Sequence, residues 1–197
     1  MVAAVIRLLG SVRVSPTSRT STAVDSMRFV LLRHGPAGTR DPLTWPDDRE
    51  RPLTERGLER TRRACAGVLH LEPAVALVLT SPLRRCLQTA ECMREVTDGA
   101  VRVRATETLA PGAVWRDLLA ELEALAEPGA VVLVGHEPDL GKLAGVMLFG
   151  APAPLPIRKA GACEIEFEVR CAPGRGRLRW FLPPRALRRF ARQRSEA

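Results

Sequence analysis

The sequence predicts an α/β protein, a three-layer α/β/α sandwich with a mainly parallel central sheet and an antiparallel hairpin near the C-terminus. Short, continuous apolar runs at 29–32, 75–79 and 131–134 are typical of parallel strands that are buried on both faces. Segments with helical periodicity follow these runs. Apolar and polar residues then alternate at 163–169 and 178–182, which predicts two antiparallel strands, with the glutamates of the first facing solvent. Such an order of elements indicates a layered α/β fold.

Helix boundaries are predicted from capping residues. Thr54 can cap a helix that runs to about residue 69, because its hydroxyl accepts from a backbone N–H of the first turn. Ser81 and Pro82 are predicted to be the N-cap and the first residue of a helix that runs to about residue 96. The remaining elements are a short strand near 101–103, helices near 115–125 and 139–149, and a basic helix that closes the chain.

The length of 197 residues suits one domain with a sizeable core. We expect that domain to span 27–184. A disordered or non-native extension (1–26) precedes it, and a basic tail (185–197) follows it. The extension is rich in Arg and Ser and poor in acidic residues, so a targeting segment is the alternative interpretation.

Cysteine usage and hydropathy indicate a cytoplasmic protein. The five cysteines include no Cys-x-x-Cys pair, which argues against a zinc site. Their odd number argues against a complete disulfide framework and fits a reducing compartment. No apolar run reaches the roughly 18 residues that a membrane span needs.

The formal net charge of +8 is concentrated at the two ends of the chain. Residues 1–26 carry a net +2 and residues 175–197 a net +7, whereas residues 27–174 carry a net −1. A basic terminus can attract RNA, acidic protein or anionic lipid without specificity, or it can be a solvated helix. We therefore expect nucleic acid to bind, if at all, only nonspecifically through the tail.

Two of the three histidines directly follow predicted strands. His34 comes after the run at 29–32, and His136 after the run at 131–134. Since parallel strands present their carboxyl ends to one crevice, the two imidazoles are expected to meet there. The strand at 75–79 delivers Arg84 and Arg85 to the same edge, in the first turn of a helix whose N-terminus favours anions.

Two histidines and two arginines at a helix N-terminus are typical of a phosphate site. Guanidinium groups make forked contacts with phosphoryl oxygens, and a neutral imidazole is a competent nucleophile toward phosphorus. Nearby positive charge lowers an imidazole pKa, which keeps the ring neutral. We expect neither a metal nor a cofactor, because arginines can stabilise the transition-state charge themselves.

Four motifs in order carry a family resemblance: Arg33-His34-Gly35, Arg51-Pro52-Leu53-Thr54, Ser81-Pro82-Leu83-Arg84-Arg85 followed by Gln88-Thr89-Ala90-Glu91, and Gly135-His136-Glu137-Pro138. Together they resemble the histidine phosphatase superfamily, with its phosphoglycerate-mutase-like fold. The small size and the Arg-Pro-Leu-Thr segment resemble the SixA branch, the phosphohistidine phosphatases of bacteria. The resemblance covers roughly residues 27–184.

The resemblance implies a role for each matching residue. His34 would be the nucleophile that becomes phosphorylated, Arg33 and Arg85 would clamp the phosphoryl oxygens, and His136 would be a further donor to them. Arg51 would hold the anion at the pocket wall. The remaining implied residues are Gly35 and Arg84 as substrate contacts, with Arg84 the alternative to Arg85 as clamp, and Glu107 as the possible acid for the leaving group.

The sequence thus favours a phosphatase that hydrolyses phosphohistidine in a protein through a phosphohistidine intermediate on His34. A broad phosphomonoesterase or a small-metabolite phosphatase of the same fold is the alternative. The competitor from another class is a non-catalytic binding protein that uses the basic tail. Short links around 40–53 and 98–114 predict a shallow pocket that admits a side chain on a protein surface, and we expect a monomer.

Overall fold

The structure is a computed structural model that describes residues 26–125 and 129–193. The expected extension lies outside these residues, apart from Ser26. Within the described ranges, six strands form one sheet in the order β3-β2-β4-β1-β5-β6. The strands are β1 (Met27–Arg33), β2 (Val75–Thr80), β3 (Arg102–Ala105), β4 (Ala130–Gly135), β5 (Ala162–Phe167) and β6 (Arg177–Leu182).

The predicted mixture of parallel and antiparallel strands is confirmed. β1, β2, β3 and β4 are parallel, while β5 runs antiparallel to both β1 and β6. The register of the β1–β4 pair places Arg33 opposite Gly135. The residues that follow these two positions, His34 and His136, therefore leave the sheet at the same level.

Helices cover both faces of the sheet, as the three-layer prediction requires. Alternate residues of β1 divide the core: Val30 and Leu32 pack with α1, α2 and α5, whereas Phe29 and Leu31 pack with α3 and α4. The helices are α1 (Glu55–Leu71), α2 (Arg84–Val96), α3 (Trp115–Glu123), α4 (Asp139–Phe149) and α5 (Pro184–Gln193).

Helix α2 begins later than the sequence predicts. Ser81 and Pro82 were expected to start the helix, but its first residue is Arg84, and Leu83 precedes it without a side-chain cap. The reason is that Ser81, directly after the end of β2, still bonds to the neighbouring strand, since its N–H donates to Val134 O at 2.9 Å. Its hydroxyl lies 2.9 Å from Nε2 of His136, so it supports the imidazole rather than serving as the N-cap.

The glutamates of β5 do not form one solvated face, contrary to expectation. Glu164 is only 4% exposed on a strand inside the sheet, where its carboxyl group interacts electrostatically with Glu72 and Arg28. Burial raises the pKa of its carboxyl group. Glu166 is half-buried and pairs with Arg179 across the hairpin, whereas Glu168 is exposed and pairs with Arg177.

The basic helix predicted to close the chain is present, and it packs onto the domain rather than standing apart as a tail. Residues 184–193 form α5, whose Leu187 is fully buried against α1. The two helices approach closely at Gly67, where a Cβ atom would lie 2.0 Å from Leu187 O. His70 stacks on Phe190 with ring centroids 5.8 Å apart. The apolar side of α5 therefore joins the core, while Arg185 and Arg189 are exposed.

Cysteines, helix hydropathy and metal-ligating side chains can be examined in the same way. All five cysteines are free and buried. In the described residues, no helix is long and apolar enough to cross a membrane. The same residues contain no cluster of three or more His, Cys, Asp or Glu that could hold a metal ion.

Candidate active site

The two predicted histidines lie side by side at the carboxyl edge of the sheet. His34 follows β1 and His136 follows the adjacent β4. Their ring centroids are 5.1 Å apart, with the planes tilted by 56°. Each residue is 5% exposed, so both rings are largely screened from water but still reach the surface of a cleft.

The hydrogen bond of His34 fixes which ring nitrogen is available. Nδ1 lies 2.7 Å from the carbonyl oxygen of Gly35, and a carbonyl can only accept. Nδ1 therefore carries the proton and Nε2 keeps its lone pair. Burial lowers the pKa of His34 to about 3, and the positive charges of Arg85 and Arg33 act in the same direction. The ring is thus neutral at physiological pH.

Gly35 holds the nucleophile loop tightly against the helices. A Cβ atom at this position would lie 1.9 Å from the hydroxyl oxygen of Thr61. Its N–H donates to Thr89 Oγ1 at 3.1 Å, and the Thr89 hydroxyl in turn donates to Arg85 O. The backbone N–H of Gly35 therefore already has an acceptor within the protein. The family resemblance, in contrast, implied that Gly35 contacts the substrate.

His136 is hydrogen-bonded at both ring nitrogens. Arg85 Nη2 lies 3.5 Å from Nδ1 and can only donate, so Nδ1 accepts. Nε2 then carries the proton and donates to Ser81 Oγ at 2.9 Å. Burial lowers the pKa of His136 to about 4, and the charge of Arg85 adds to the effect. The Cys86 thiol lies 3.4 Å from Nε2.

Cys86 is a buried neighbour of the site rather than a reactive group. The residue is 0% exposed, and burial raises the pKa of its thiol to about 12. Because the thiolate is the reactive form, such a thiol is inert at neutral pH.

A carboxylate that the sequence analysis missed joins the two arginines of the cleft. Asp48 accepts from Arg51 Nε at 2.7 Å and lies 3.2 Å from Arg85 Nη2. The backbone carbonyl of Asp48 also accepts from Arg85 Nη1, at 2.8 Å. Arg51 is held on its other side by Gly38 O, at 2.8 Å. Asp48 thus fixes both guanidinium groups at the cleft, and hydrogen bonding from Arg51 keeps its own pKa low.

Arg33 is positioned by the far wall of the cleft. Its Nη1 donates to Ile157 O at 3.0 Å. Glu137, from the second histidine motif, accepts from Ile157 N at 3.1 Å and interacts electrostatically with Arg33. Burial raises the pKa of Glu137. The Nε atoms of Arg33 and Arg85 are buried without a hydrogen-bond partner among the described residues.

These side chains line a cleft of about 540 Å³. Its walls carry five cationic side chains against two carboxylates, a formal excess of three positive charges. The cations are Arg33, Arg40, Arg51, Arg85 and Lys159, and the carboxylates are Asp48 and Glu137. A cleft with this charge can bind an anion such as a phosphoryl group, with the neutral Nε2 of His34 available for attack on phosphorus.

Three predicted residues do not line the cleft: Gly35, described above, and the exposed residues Arg84 and Glu107. Arg84, the alternative clamp, has a side chain that is 53% exposed and lies 3.7 Å from Glu50. It is the next residue, Arg85, that points inward. Glu107, the suggested acid, has a side chain that is 70% exposed and bonds to Arg49 at 3.0 Å. Neither lines the cleft.

No periodic pattern in the sequence could identify Asp48, Arg40 or Lys159, because Asp48 begins a single 3₁₀ turn (Asp48–Glu50) and the other two lie outside the helices and strands. Glu137 was visible as part of the second histidine motif, but its partner Ile157 is twenty residues further along the chain. The available clue for Asp48 was its spacing of three residues before Arg51, which allows an ion pair across a tight turn.

Comparisons with known proteins agree with this geometry. A family model for the histidine phosphatase superfamily (branch 1) matches residues 29–111, which include His34, Arg51 and Arg85. An uncharacterized protein of Picosynechococcus sp. is 38% identical over 138 residues, which cover 68% of this chain and 82% of the relative.

Solved structures show the same fold. The protein histidine phosphatase SixA complexed with tungstate matches with a TM-score of 0.67 and 26% identity, over 82% of this chain and 99% of that one. A mycobacterial glucosyl-3-phosphoglycerate phosphatase matches with a TM-score of 0.56 and 23% identity, over 80% of this chain and 99% of that one. Together with the close relative and the family model, these matches show that the chain belongs to the histidine phosphatase superfamily, whose members are phosphatases.

Proposed function

We propose that the protein is a phosphohistidine phosphatase that works through a covalent phosphoryl intermediate on His34. The observation that carries the proposal is the neutral Nε2 of His34 inside a cleft with excess positive charge. The family supports a phosphatase, and the likeness to a protein histidine phosphatase favours a phosphohistidine substrate.

The first step is transfer of the phosphoryl group to His34. Arg33, Arg51 and Arg85 donate hydrogen bonds to the phosphoryl oxygens. The Nε–H groups of Arg33 and Arg85, which have no acceptor among the described residues, are donors for these bonds. A bond forms between His34 Nε2 and phosphorus while the bond from phosphorus to the substrate nitrogen breaks. The electron pair of the broken bond goes to the departing imidazole.

His136 supports the developing charge on the phosphoryl oxygens. In the structure its Nδ1 accepts a hydrogen bond from Arg85 Nη2, while Ser81 Oγ accepts from Nε2. The Ser81 hydroxyl can also donate to Nε2, which places the ring proton on Nδ1. In that tautomer Nδ1 no longer accepts from Arg85, and it donates to an anion in the cleft instead.

The second step returns the enzyme to its starting state. Water attacks the phosphorus of phospho-His34, the bond from Nε2 to phosphorus breaks, and inorganic phosphate leaves. The arginines supply the charge stabilisation for both steps, so we propose a reaction that needs no metal.

The chemistry of the leaving group favours cleavage of a P–N bond. Asp48 is committed to Arg51 and Arg85 and has a lowered pKa, so it stays ionised. Glu137 has a raised pKa, but its carboxylate accepts from Ile157 N and faces Arg33. An alkoxide needs a proton to leave, whereas an imidazole whose other nitrogen is already protonated leaves as a neutral ring.

The test is a substrate panel with the purified full chain, measured with and without EDTA. A phosphohistidine peptide is expected to turn over at least about tenfold faster than the matching phosphoserine peptide, since one misplaced or missing proton donor costs about 10²-fold or more. EDTA is expected to have no effect. Comparable turnover of the two peptides would contradict the substrate assignment and favour a broad phosphomonoesterase, and no turnover of either would favour a binding protein.

A further inference from the structure

The cleft is larger than a phosphoryl group requires. Its volume is about 540 Å³. A phosphoryl group has four heavy atoms and fills roughly 120 Å³, if each atom takes the share of one water molecule in the liquid, about 30 Å³. An imidazole ring bonded to phosphorus still leaves about half of the cleft for a further part of the substrate.

The cations of the cleft form an inner and an outer set. The inner set is the three arginines assigned above to the phosphoryl group, and the carboxylates of Asp48 and Glu137 lie beside them. The inner set is therefore nearly balanced, with one positive charge in excess. The other two excess charges of the cleft belong to the outer set, Arg40 and Lys159, which are both exposed.

The backbone beside Lys159 is fixed to the strand that carries the nucleophile. Ala160, the next residue, is buried, and its N–H donates to the carbonyl oxygens of Arg33 and His34, each at 3.1 Å. It does so with a φ of 56°, a left-handed conformation that alanine rarely adopts. The Lys159 side chain is nevertheless exposed at the cleft, and no described residue forms a hydrogen bond or ion pair with its ammonium group. A fixed backbone thus presents an unpaired charge beside the site.

Arg40 makes one long ion pair in the described part of the chain. Its side chain is 81% exposed, and its Nε lies 3.9 Å from Asp48. That carboxylate is closer to Arg51 and Arg85, at 2.7 and 3.2 Å. An exposed pair of this kind contributes little to stability. The guanidinium group of Arg40 is therefore available to a carboxylate on a ligand, which its fork of N–H groups matches well.

We propose that Arg40 and Lys159 form a second anion subsite, which binds a carboxylate beside the phosphohistidine of the substrate protein. This inference rests on the proposed function and narrows it, because the enzyme then favours phosphohistidines with acidic neighbours along the chain. Both cations are exposed, so a side chain on the surface of another protein reaches them without entering a buried pocket. Complementary charge at such a position gives specificity and faster encounter more than tight binding.

The test compares two peptides with the same phosphohistidine, one flanked by glutamate on both sides and one by glutamine. At low ionic strength the wild type is expected to favour the glutamate peptide about tenfold in kcat/KM, the effect of two exposed ion pairs. The double variant Arg40→Gln, Lys159→Gln is expected to lower this preference to about twofold. The control Arg56→Gln, Arg175→Gln removes the same charge from exposed positions outside the cleft and is expected to keep the preference.

Binding is measured separately from turnover with His34→Ala, which lacks the nucleophile. Isothermal titration calorimetry of this variant with the two peptides is expected to give a similar preference in Kd, because the carboxylate is bound in the ground state as well. Salt at about 0.5 M is expected to abolish the preference, since both cations are exposed to solvent. All the side chains replaced in the double variant and its control are exposed, so each is expected to fold.

The contrary outcomes are distinguishable. An equal loss on both peptides in the double variant would overturn the inference, because the two cations would then act on the phosphoryl group alone. A wild type without a preference, or a preference that survives in the double variant, would overturn it as well. Failure of the proposed function looks different: the wild type would turn over neither peptide, whereas His34→Ala would still bind the glutamate peptide more tightly. Equal binding of the two peptides by His34→Ala would overturn the inference whatever the turnover.

Discussion

Two regions of the molecule are rich in arginine, and only one of them has the geometry of a site. In the cleft, Arg51 and Arg85 are buried and held by a carboxylate and backbone carbonyls. On the outer side of the α1–α5 pair, Arg60, Arg63, Arg185 and Arg188 form a second group, which we call the terminal arginine face. Partial burial lowers the pKa of Arg188, and the charges of its three neighbours lower it further.

The comparison shows that charge count and chemical function are separate properties. The terminal segment carries most of the net charge of the chain, whereas the stretch that contains the cleft is close to neutral. What distinguishes the cleft is that its cations are oriented and partly desolvated around a neutral imidazole. In the terminal arginine face the guanidinium groups repel one another, and their charges are screened by solvent and salt.

The largest expected effect is a loss of turnover when the histidine of the cleft is replaced, compared with replacement of the histidine beside the terminal arginine face. His34→Ala is expected to lose turnover by about 10⁴-fold or more, because removal of a nucleophile abolishes the covalent route. His70→Ala, in the exposed stack with Phe190 beside the terminal arginine face, is expected to stay within about twofold. Steady-state rates on a phosphohistidine peptide check both, and equal losses would break the distinction.

The next effect compares one arginine from each region. Arg85→Lys is expected to lower kcat by about 10²- to 10³-fold, since lysine cannot hold Asp48 and a phosphoryl oxygen with one planar fork. Arg188→Lys keeps the charge of the terminal arginine face, and its kcat is expected to be unchanged. Circular dichroism confirms that each variant is folded, and a similar loss in both would contradict the assignment.

The buried histidines also predict a pH dependence of stability. The pKa of His34 is about 3 in the folded protein and about 6.5 in an unfolded chain. Between these values the unfolded state binds more protons, so the free energy of unfolding falls as the pH is lowered below about 6.5. At pH 5 the contribution of His34 is a loss of up to about 2 kcal/mol.

Urea unfolding of the wild type and of His34→Gln, at pH 7 and pH 5, checks this prediction. The variant is expected to lose less stability than the wild type over the same interval, because one of the two neutral buried rings is absent. His136, with a pKa of about 4, accounts for the remaining slope. A wild type and variant with identical slopes would show that His34 is not held neutral by the fold.

A smaller effect on kcat is expected from replacement of Asp48, the carboxylate that orients Arg51 and Arg85. Asp48→Asn keeps one acceptor but loses the charge that fixes Arg51 and Arg85, so kcat is expected to fall about tenfold through misplacement of the guanidinium groups. Inhibition by orthovanadate is expected to be unchanged or tighter, because a negative charge has left the cleft. Weaker vanadate binding with unchanged kcat would contradict the positioning role.

The smallest effect lies on the terminal arginine face. Arg188→Gln relieves repulsion from Arg60, Arg63 and Arg185 and is expected to stabilise the fold by about 0.3 kcal/mol at low ionic strength, a value already reduced for solvent screening. The gain is expected to vanish at about 0.5 M salt. Thermal denaturation at the two salt concentrations checks this, and a destabilised variant would show that the face makes favourable contacts.

The sequence predicted the site most accurately for residues whose position is determined by an adjacent strand. His34 and His136 were found because both directly follow buried apolar strands, and a parallel register leaves such residues at one level. The start of α2 was placed too early, because Ser81 and Pro82 resemble a helix cap but Ser81 continues the sheet and supports His136. That support comes from a contact fifty-five residues apart, which no local pattern contains.

The contacts of Asp48 and the packing of the terminal helix were beyond local reasoning. Asp48 joins Arg51 and Arg85 from the start of a single 3₁₀ turn (Asp48–Glu50), and its sequence neighbours have no periodicity from which to infer this. Residues 185–193 were expected to form a basic helix in a tail beyond the domain, and the helix is present as part of α5. Leu187 nonetheless packs against Gly67, because the apolar side of a short basic helix can join a core while its arginines stay in water.

The most direct test of the account is to trap the phosphoryl group on the enzyme. The full chain is mixed with excess N-phosphoimidazole, quenched in alkali within a fraction of the turnover time, digested and analysed by mass spectrometry. The account predicts one phosphate on the peptide that contains His34, in a bond that survives alkali but not acid, and none on His136 or His70. Turnover without a phosphopeptide at His34, or phosphate on another residue, would contradict it.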